Sequence, residues 1–168
     1  NRSENIWYQN AMFLADGDLQ LSSGADTTLA GAVVRGNTLD ADVGGDLIVE
    51  SLRDTGYVRG ESAQVSLTVG TGGSGSVGGS HTEGDTAWVG EQSGLFAADT
   101  LDLFVQGNTH LIGAAINSDS GNLLVDTGSL SFSNINGFDR LESISLNVAL
   151  GSAQGSKGEK PETATQQN

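Results

Sequence analysis

The sequence predicts an all-β fold, a parallel β-helix made of two copies of one repeat, with antiparallel hairpin strands that leave the helix. Three observations lead to this prediction. The chain repeats itself internally, its apolar residues alternate over short segments, and the same turn residues return at the corners. Internal repetition has the most weight, because it means that one supersecondary unit stacks on a copy of itself.

The internal repeat is clearest between residues 17–34 and 99–116, where apolar and small residues correspond at an offset of 82 (101 − 19 = 82). These residues are Leu19, Leu21, Leu29, Gly31, Ala32 and Val34, matched by Leu101, Leu103, Leu111, Gly113, Ala114 and Ile116. Elsewhere the offset drifts next to Gly, Asn and Asp, where an insertion into a turn costs little. We therefore predict one repeat domain over residues 1–156, with copies 1–81 and 82–156, and a polar tail over 157–168.

Within a copy, short apolar–any–apolar segments recur about every 8–10 residues, which is typical of short strands. They are Leu19/Leu21, Leu29, Leu39/Ala41 and Leu47/Val49. An antiparallel sandwich and a parallel β-helix share this pattern. The dipeptides Gly17-Asp18, Gly45-Asp46 and Gly121-Asn122 precede such segments. Because one turn chemistry recurs, we expect the chain to pass the same corner repeatedly, and the β-helix is favoured.

A coil of about 20 residues, with a rise of about 4.8 Å, would give on the order of five or six coils. Gly31-Ala32 and Gly113-Ala114 are expected where the cross-section is tight.

Each copy then leaves this pattern. Residues 61–70 and 142–151 alternate strictly between apolar and polar residues, which favours a strand. In the first copy a Gly/Ser-rich segment, 70–80, and a polar return up to Trp88 follow, and we predict an antiparallel hairpin with a mobile tip. In the second copy the chain enters the polar tail instead, which we expect to be disordered or to begin a linker.

Composition excludes several classes of function. The chain has 7 basic and 21 acidic residues and a net charge of −14, which disfavours nucleic acid and anionic lipid as partners. It has no cysteine, which excludes a disulfide framework and a thiolate metal site. No apolar run is long enough for a membrane span. The first residues lack the pattern of an export signal, so we expect an internal fragment with any such signal outside it.

Catalytic and metal-site motifs are incomplete. His81 and His110 are the only histidines, and His81 with Glu83 gives two ligands, which do not make a metal site. The Asp-rich turns could bind calcium, but Asp is also a common turn former, and the nonapeptide pattern of a calcium ladder is absent. We therefore predict no catalytic, cofactor-binding or metal-binding residues.

Four aromatic residues form a candidate binding surface: Trp7, Trp88, Tyr57 and Phe138. Trp7 and Trp88 correspond at an offset of 81, as do Tyr57 and Phe138. The tryptophans could stack on a carbohydrate. A repeated aromatic more often packs within the structure, and we favour that interpretation.

Residues 14–151 resemble the haemagglutinin-type repeats of filamentous-haemagglutinin-like exoproteins. The resemblance is carried by GDLQLSSGADTTLAGAVVRGNTLDADVGGDLIVESLRDT and by DTLDLFVQGNTHLIGAAINSDSGNLLVDTGSL. Members are the large secreted partners of two-partner secretion systems in Gram-negative bacteria, and include adhesins, haemolysin-like proteins and contact-dependent growth-inhibition effectors. The resemblance implies a right-handed β-helix, export through an outer-membrane transporter that recognises the parent protein, a location on the outer cell surface, and no catalytic residues.

The expected function is structural: a β-helical stalk that presents adhesive or toxin-carrying parts of a secreted exoprotein. One alternative is a module that binds a receptor or glycan of a target cell through the hairpins and the tryptophan pair. A polysaccharide-acting β-helix enzyme is a further alternative, which the scattered basic residues disfavour. The sequence leaves open whether the parent is an adhesin, a haemolysin or a growth-inhibition toxin.

Overall fold

The computed structural model describes residues 1–68 and 74–151. Every regular element in these residues is a β-strand. The strands are β1 (Arg2–Ile6), β2 (Ala11–Leu14), β3 (Asp18–Ser23), β4 (Thr27–Ala30), β5 (Ala32–Val43), β6 (Leu47–Glu50), β7 (Asp54–Thr68), β8 (Ser74–Trp88), β9 (Gly94–Ile112), β10 (Ala115–Ser118), β11 (Asn122–Ser133) and β12 (Phe138–Gly151). They fall into two compact units, which we call the coil unit (7–54 and 88–137) and the sheet unit (1–6, 55–68, 74–87 and 138–151).

The coil unit consists of four stacked turns of chain, which we call rungs 1 to 4. Rung 1 holds β2, β3 and β4, rung 2 holds β5 and β6, rung 3 is β9, and rung 4 holds β10 and β11. Successive rungs pair in parallel, so that one column contains a leucine from each rung: Leu19, Leu39, Leu101 and Leu123. Parallel pairing of neighbouring segments requires a long connection, which here is the remainder of each turn.

The prediction of an all-β chain with parallel strands is confirmed, and the antiparallel sandwich is excluded for the coil unit. The curled parallel sheet is consistent with a β-helix. The expected number of coils was wrong, because the described residues form four. The strands of the sheet unit take up more of the chain than a prediction of five or six coils assumes.

The core is formed by the inward-facing side chains of the strands, which stack on one another from rung to rung. Over Leu39–Val43 of β5 and Leu101–Val105 of β9, every second side chain is buried while its neighbours face outward, as the two-residue period of a strand requires. The central buried residues are Val34, Leu39, Ala41, Val43, Leu47, Val49, Leu95, Ala97, Leu101, Leu103 and Val105. Rungs 2 and 3 therefore supply most of the core, because each has a rung on both sides.

Two glycines mark tight points of the coil, as predicted. Gly31 and Gly113 adopt φ values of 59° and 58°, in the left-handed region that favours glycine. A Cβ on Gly31 would lie 2.6 Å from Leu52 Cδ1, and one on Gly113 would lie 2.7 Å from Ile135 Cδ1. A side chain at either position would therefore clash as well as strain the backbone.

The recurrent Gly-Asp dipeptide marks two corners of the coil rather than one, which corrects the sequence prediction. Gly17-Asp18 and Gly121-Asn122 precede β3 and β11, which stack in one column, whereas Gly45-Asp46 precedes β6. At both corners the Asp side chain bonds to the neighbouring rung, since the Thr38 hydroxyl donates to Asp18 and the Asn108 backbone N–H donates to Asp46.

The sheet unit is a four-stranded sheet in the order β1-β7-β8-β12. β1 pairs with β7 and β8 pairs with β12, in both cases antiparallel. The predicted antiparallel strands outside the coil are therefore present. The predicted Gly/Ser tip, 70–80, is wrong from residue 74 onward, because β8 begins at Ser74 and pairs with β12 over its length. Residues 70–73 of that tip and the tail over 157–168 lie outside the described residues.

Candidate functional site

Trp7 and Trp88 contact each other in the coil unit. Their ring centroids lie 5.6 Å apart and the ring planes meet at 74°, an edge-to-face arrangement. Such pairs are stabilised by the positive edge of one ring and the negative face of the other. Trp7 nevertheless remains 66% exposed and Trp88 39% exposed. The pair therefore packs internally and also presents aromatic surface to solvent.

Hydrogen bonds hold the chain that follows Trp7. The Tyr8 backbone N–H donates to Asp54 Oδ1 at 2.7 Å. Asn10 donates from its backbone to Glu91 Oε2 at 3.1 Å and from its side chain to the Glu91 carbonyl at 3.3 Å. These bonds connect segments far apart in sequence, and they fix the position of Trp7.

Tyr57 and Phe138 line one open groove of the sheet unit, together with Glu4, Ile6, Asp85, Ala87 and Arg140. Tyr57 is half-buried and its hydroxyl lies 3.5 Å from Glu83 Oε1. Phe138 is exposed and pairs in register with Ala87. The structure thus brings the candidate aromatic residues together in two pairs, one in each unit.

Three arginines of the sheet unit each pair with a glutamate two positions further along the same strand. Arg2 lies 3.6 Å from Glu4, Arg59 lies 3.7 Å from Glu61, and Arg140 lies 3.5 Å from Glu142. Side chains at i and i+2 share a face of a strand, which brings each arginine next to its glutamate. Because these pairs are exposed, each contributes about 0–1 kcal/mol.

The two histidines lie in separate settings. His81 has Glu61 at 3.6 Å and Glu83 at 3.8 Å, on the neighbouring strand and on its own strand respectively. His110 Nδ1 lies 2.6 Å from Ser131 Oγ on the adjacent rung. Among the described residues, no group of three or more His, Cys, Asp or Glu side chains is placed to hold a metal ion.

At the corner that precedes β4 and β6, carboxylate side chains accept hydrogen bonds from the neighbouring rung. Asp26 Oδ1 accepts the Asp46 backbone N–H at 2.9 Å, and Asp46 Oδ1 accepts the Asn108 backbone N–H at 2.7 Å. Asn108 Oδ1 in turn accepts the Ser129 hydroxyl at 2.7 Å. One polar side chain per rung therefore forms a column, which we call the corner ladder.

Glycine is required beside the corner ladder. A Cβ on Gly45 would lie 2.2 Å from Asp26 Oδ1, and a Cβ on Gly107 would lie 2.2 Å from Asp46 Oδ1. The small residue lets the carboxylate of the rung below reach the next backbone N–H. The Gly-Asp signal in the sequence therefore reflects, at this corner, a contact between rungs.

Two features of the structure were missed by sequence reasoning. A buried pair, Ser51 and Ser93, joins the point where the chain leaves rung 2 to the point where it enters rung 3. Isolated serines carry no periodic signal that could have identified them.

The second feature is an exposed apolar surface on the sheet unit. It consists of Val65, Leu67, Val77, Ile144, Leu146 and Val148, of which Leu67 is 79% exposed. The strict alternation of 61–70 and 142–151 places the side chains of β7 and β12 on one face of their strands, and Val77 pairs in register with Val148. The alternation does not reveal whether that face is covered. Within the described part of the chain there is no helix long and apolar enough to cross a membrane.

The family model of the hemagglutinin repeat matches residues 1–66 of the chain. Among curated proteins, the tRNA nuclease CdiA of Yersinia mollaretii is 37% identical over 139 residues, which are 76% of this chain and 5% of that protein. The deoxyribonuclease CdiA of Dickeya dadantii is 37% identical over 143 residues, 78% of this chain and 4% of that protein. The tRNA nuclease CdiA of Escherichia coli strain NC101 is 39% identical over 129 residues, 68% of this chain and 4% of that protein.

No solved structure matches the chain. The chain spans about one twentieth or less of the length of these relatives, and the names of those proteins refer to their whole chains.

Proposed function

The chain is a hemagglutinin-repeat region of the kind that CdiA-type exoproteins carry, and from this premise we propose that it acts as a structural stalk. Such exoproteins are secreted by two-partner systems and exposed at the cell surface. In this role the segment extends the parent protein and presents its adhesive or toxin-delivering parts away from the producing cell. The parent reaches the surface through its outer-membrane transporter.

The stacked column of Leu19, Leu39, Leu101 and Leu123 is the observation that carries the proposal. Each rung buries its inner face only against its neighbours, so stability is shared along the stack. A structure of this kind grows by adding rungs without any change in the rungs already present. It is therefore suited to setting the distance between the producing cell and the parts that the stalk presents.

The finer features of the fold belong to the same proposal. We propose that the coil is a right-handed β-helix and that the chain holds two copies of the repeat, each with two rungs and an outgoing antiparallel strand. The correspondence of Tyr57 with Phe138, and of rungs 1 and 2 with rungs 3 and 4, supports two copies.

We further propose that the segment itself is not an enzyme. The carboxylates of the corner ladder bond to backbone groups of the next rung. The arginines of the sheet unit pair with adjacent glutamates on its surface. Both sets therefore make structural contacts, which supports a role outside catalysis, although Arg140, Glu4 and Asp85 also line the open groove of the sheet unit.

The second candidate function is binding of a receptor or glycan on a target cell. The exposure of Trp7, beside Trp88, favours it, because exposed aromatic rings stack on sugars and anchor protein interfaces.

A replacement experiment separates the two candidates. In a CdiA-type parent that contains this segment, residues 7–137 are replaced by an unrelated β-helix with the same number of rungs, and growth inhibition of target cells is measured. A stalk role predicts retained inhibition, whereas deletion of the segment without replacement reduces it. Loss of inhibition in the replacement, with normal surface display, would favour the binding role.

A further inference from the structure

The sheet unit is built from two kinds of strand. β7 and β12 correspond at an offset of 81, through Tyr57 with Phe138 and Arg59 with Arg140 (138 − 57 = 81), and we call them outgoing strands. β1 and the end of β8 correspond at the same offset, through Glu4 with Asp85, Ile6 with Ala87 and then Trp7 with Trp88. We call these the return strands.

The two kinds of strand alternate across the sheet. The order β1-β7-β8-β12 is return, outgoing, return, outgoing. The outgoing strand β7 therefore has a return strand along each edge. The outgoing strand β12 has β8 along one edge, and in the described residues no strand pairs with its other edge.

The free edge of β12 is long, and most of its length carries no charge. It extends over Phe138–Gly151, 14 residues, with charged residues only between 139 and 142 and with neither lysine nor proline. Natural proteins protect such edges with charges, prolines, bulges or a covering segment, since a bare row of backbone donors and acceptors pairs with other strands. Leu141, Ile144 and Leu146 are also exposed along it. These features are typical of a strand that accepts a partner.

We propose that this edge binds one further return strand of the β8 type, supplied by another copy of this repeat. The added strand continues the alternation and pairs antiparallel, as β8 does on the other edge, where Arg140 faces Asp85 and the hydroxyls of Thr82 and Ser143 lie 3.2 Å apart. Main-chain hydrogen bonds supply the affinity, and alternate side chains select the partner. The inference uses the two-copy correspondence proposed above.

The test is hydrogen exchange of the full chain with a synthetic peptide of the β8 sequence, Ser74–Trp88. A repeat in the same polypeptide binds at an effective concentration in the millimolar range, so the peptide is used at about millimolar concentration. We expect the alternate amides of Phe138–Gly151 that are not bonded to β8 to exchange at least about tenfold more slowly. Exchange within β9 should not change.

A scrambled peptide of the same composition is the control. Unchanged exchange in β12, equal slowing by the scrambled peptide, or slowing confined to other strands would each overturn the proposal. None of these results bears on the stalk role, because that role depends on the coil unit and is tested by the replacement experiment.

Discussion

The hydroxyl of Ser51 accepts a hydrogen bond from the backbone N–H of Ser93 at 2.8 Å, across 42 positions of sequence. The same hydroxyl donates to the Gly113 carbonyl at 2.8 Å, and Ser93 Oγ accepts the Ala32 backbone N–H at 3.1 Å. Both serines are buried. This network closes the coil where the chain leaves it for the sheet unit and where it returns.

Removing the Ser51 hydroxyl should destabilise the coil unit. Ser51→Ala leaves the buried Ser93 N–H without this partner, which costs about 1–3 kcal/mol. The Gly113 carbonyl keeps the Gln92 side-chain amide as a donor at 3.1 Å. Urea unfolding measures the loss. Ser22→Ala, at an exposed serine of β3, is the matched control and should be near neutral. Equal stability of the two variants would contradict the network's role.

Leu101 should be among the most sensitive positions of the core. It is fully buried between Leu39 and Leu123, so Leu101→Ala opens a cavity and should cost about 2–5 kcal/mol in the free energy of unfolding. Leu124→Ala, at a residue that faces outward in rung 4 and is 62% exposed, should change it by less than about 0.5 kcal/mol. Similar losses at both positions would show that the inner column is not where the structure places it.

The corner ladder predicts a difference between two substitutions of Asp46. Asp46→Ala removes the oxygen that accepts the Asn108 backbone N–H and should cost about 0.5–1.5 kcal/mol. Asp46→Asn keeps a side-chain oxygen there and should retain most of the stability. Thermal unfolding of both variants decides the point, and the prediction is wrong if Asn destabilises as much as Ala.

The tryptophan pair should show a measurable coupling energy. A double-mutant cycle with Trp7→Ala, Trp88→Ala and the double variant should give about 0.5–1.5 kcal/mol for the edge-to-face contact. The same variants on a glycan array test the second candidate function. Loss of specific glycan binding in both single variants would favour the binding role over the stalk.

The sequence was sufficient to predict the parallel stack, because residues of the inner column recur in both copies of the repeat. Leu19 and Leu101 correspond in the repeat and occupy one column, in which Leu39 separates them. Residues that correspond in a stacked repeat lie in the same column of the fold, so the internal repeat was enough to predict the column.

Other features could not be predicted, because they depend on contacts between distant segments. The link between Ser51 and Ser93 joins two serines that have no counterpart in a periodic pattern. The beginning of β8 at Ser74 depends on its pairing with Gly151, which local Gly/Ser composition does not reveal. At the candidate site, the sequence identified the aromatic residues but not their contacts, since Trp7 meets Trp88 only when the coil closes.

The central claim is that rungs 2 and 3 stack in parallel and in register. The chain has no cysteine, so one engineered pair can report on that register without interference. Asp40 and Asp102 are exposed partners on β5 and β9, whereas Asp40 and Phe104 are two residues out of register. A disulfide needs Cα atoms within about 7 Å.

The measurement is the intact mass of the oxidised variants Asp40→Cys/Asp102→Cys and Asp40→Cys/Phe104→Cys. The stacked coil predicts complete loss of two hydrogens in the first variant and free thiols in the second. Free thiols in the first variant, or equal cross-linking in both, would contradict the parallel register on which the stalk depends.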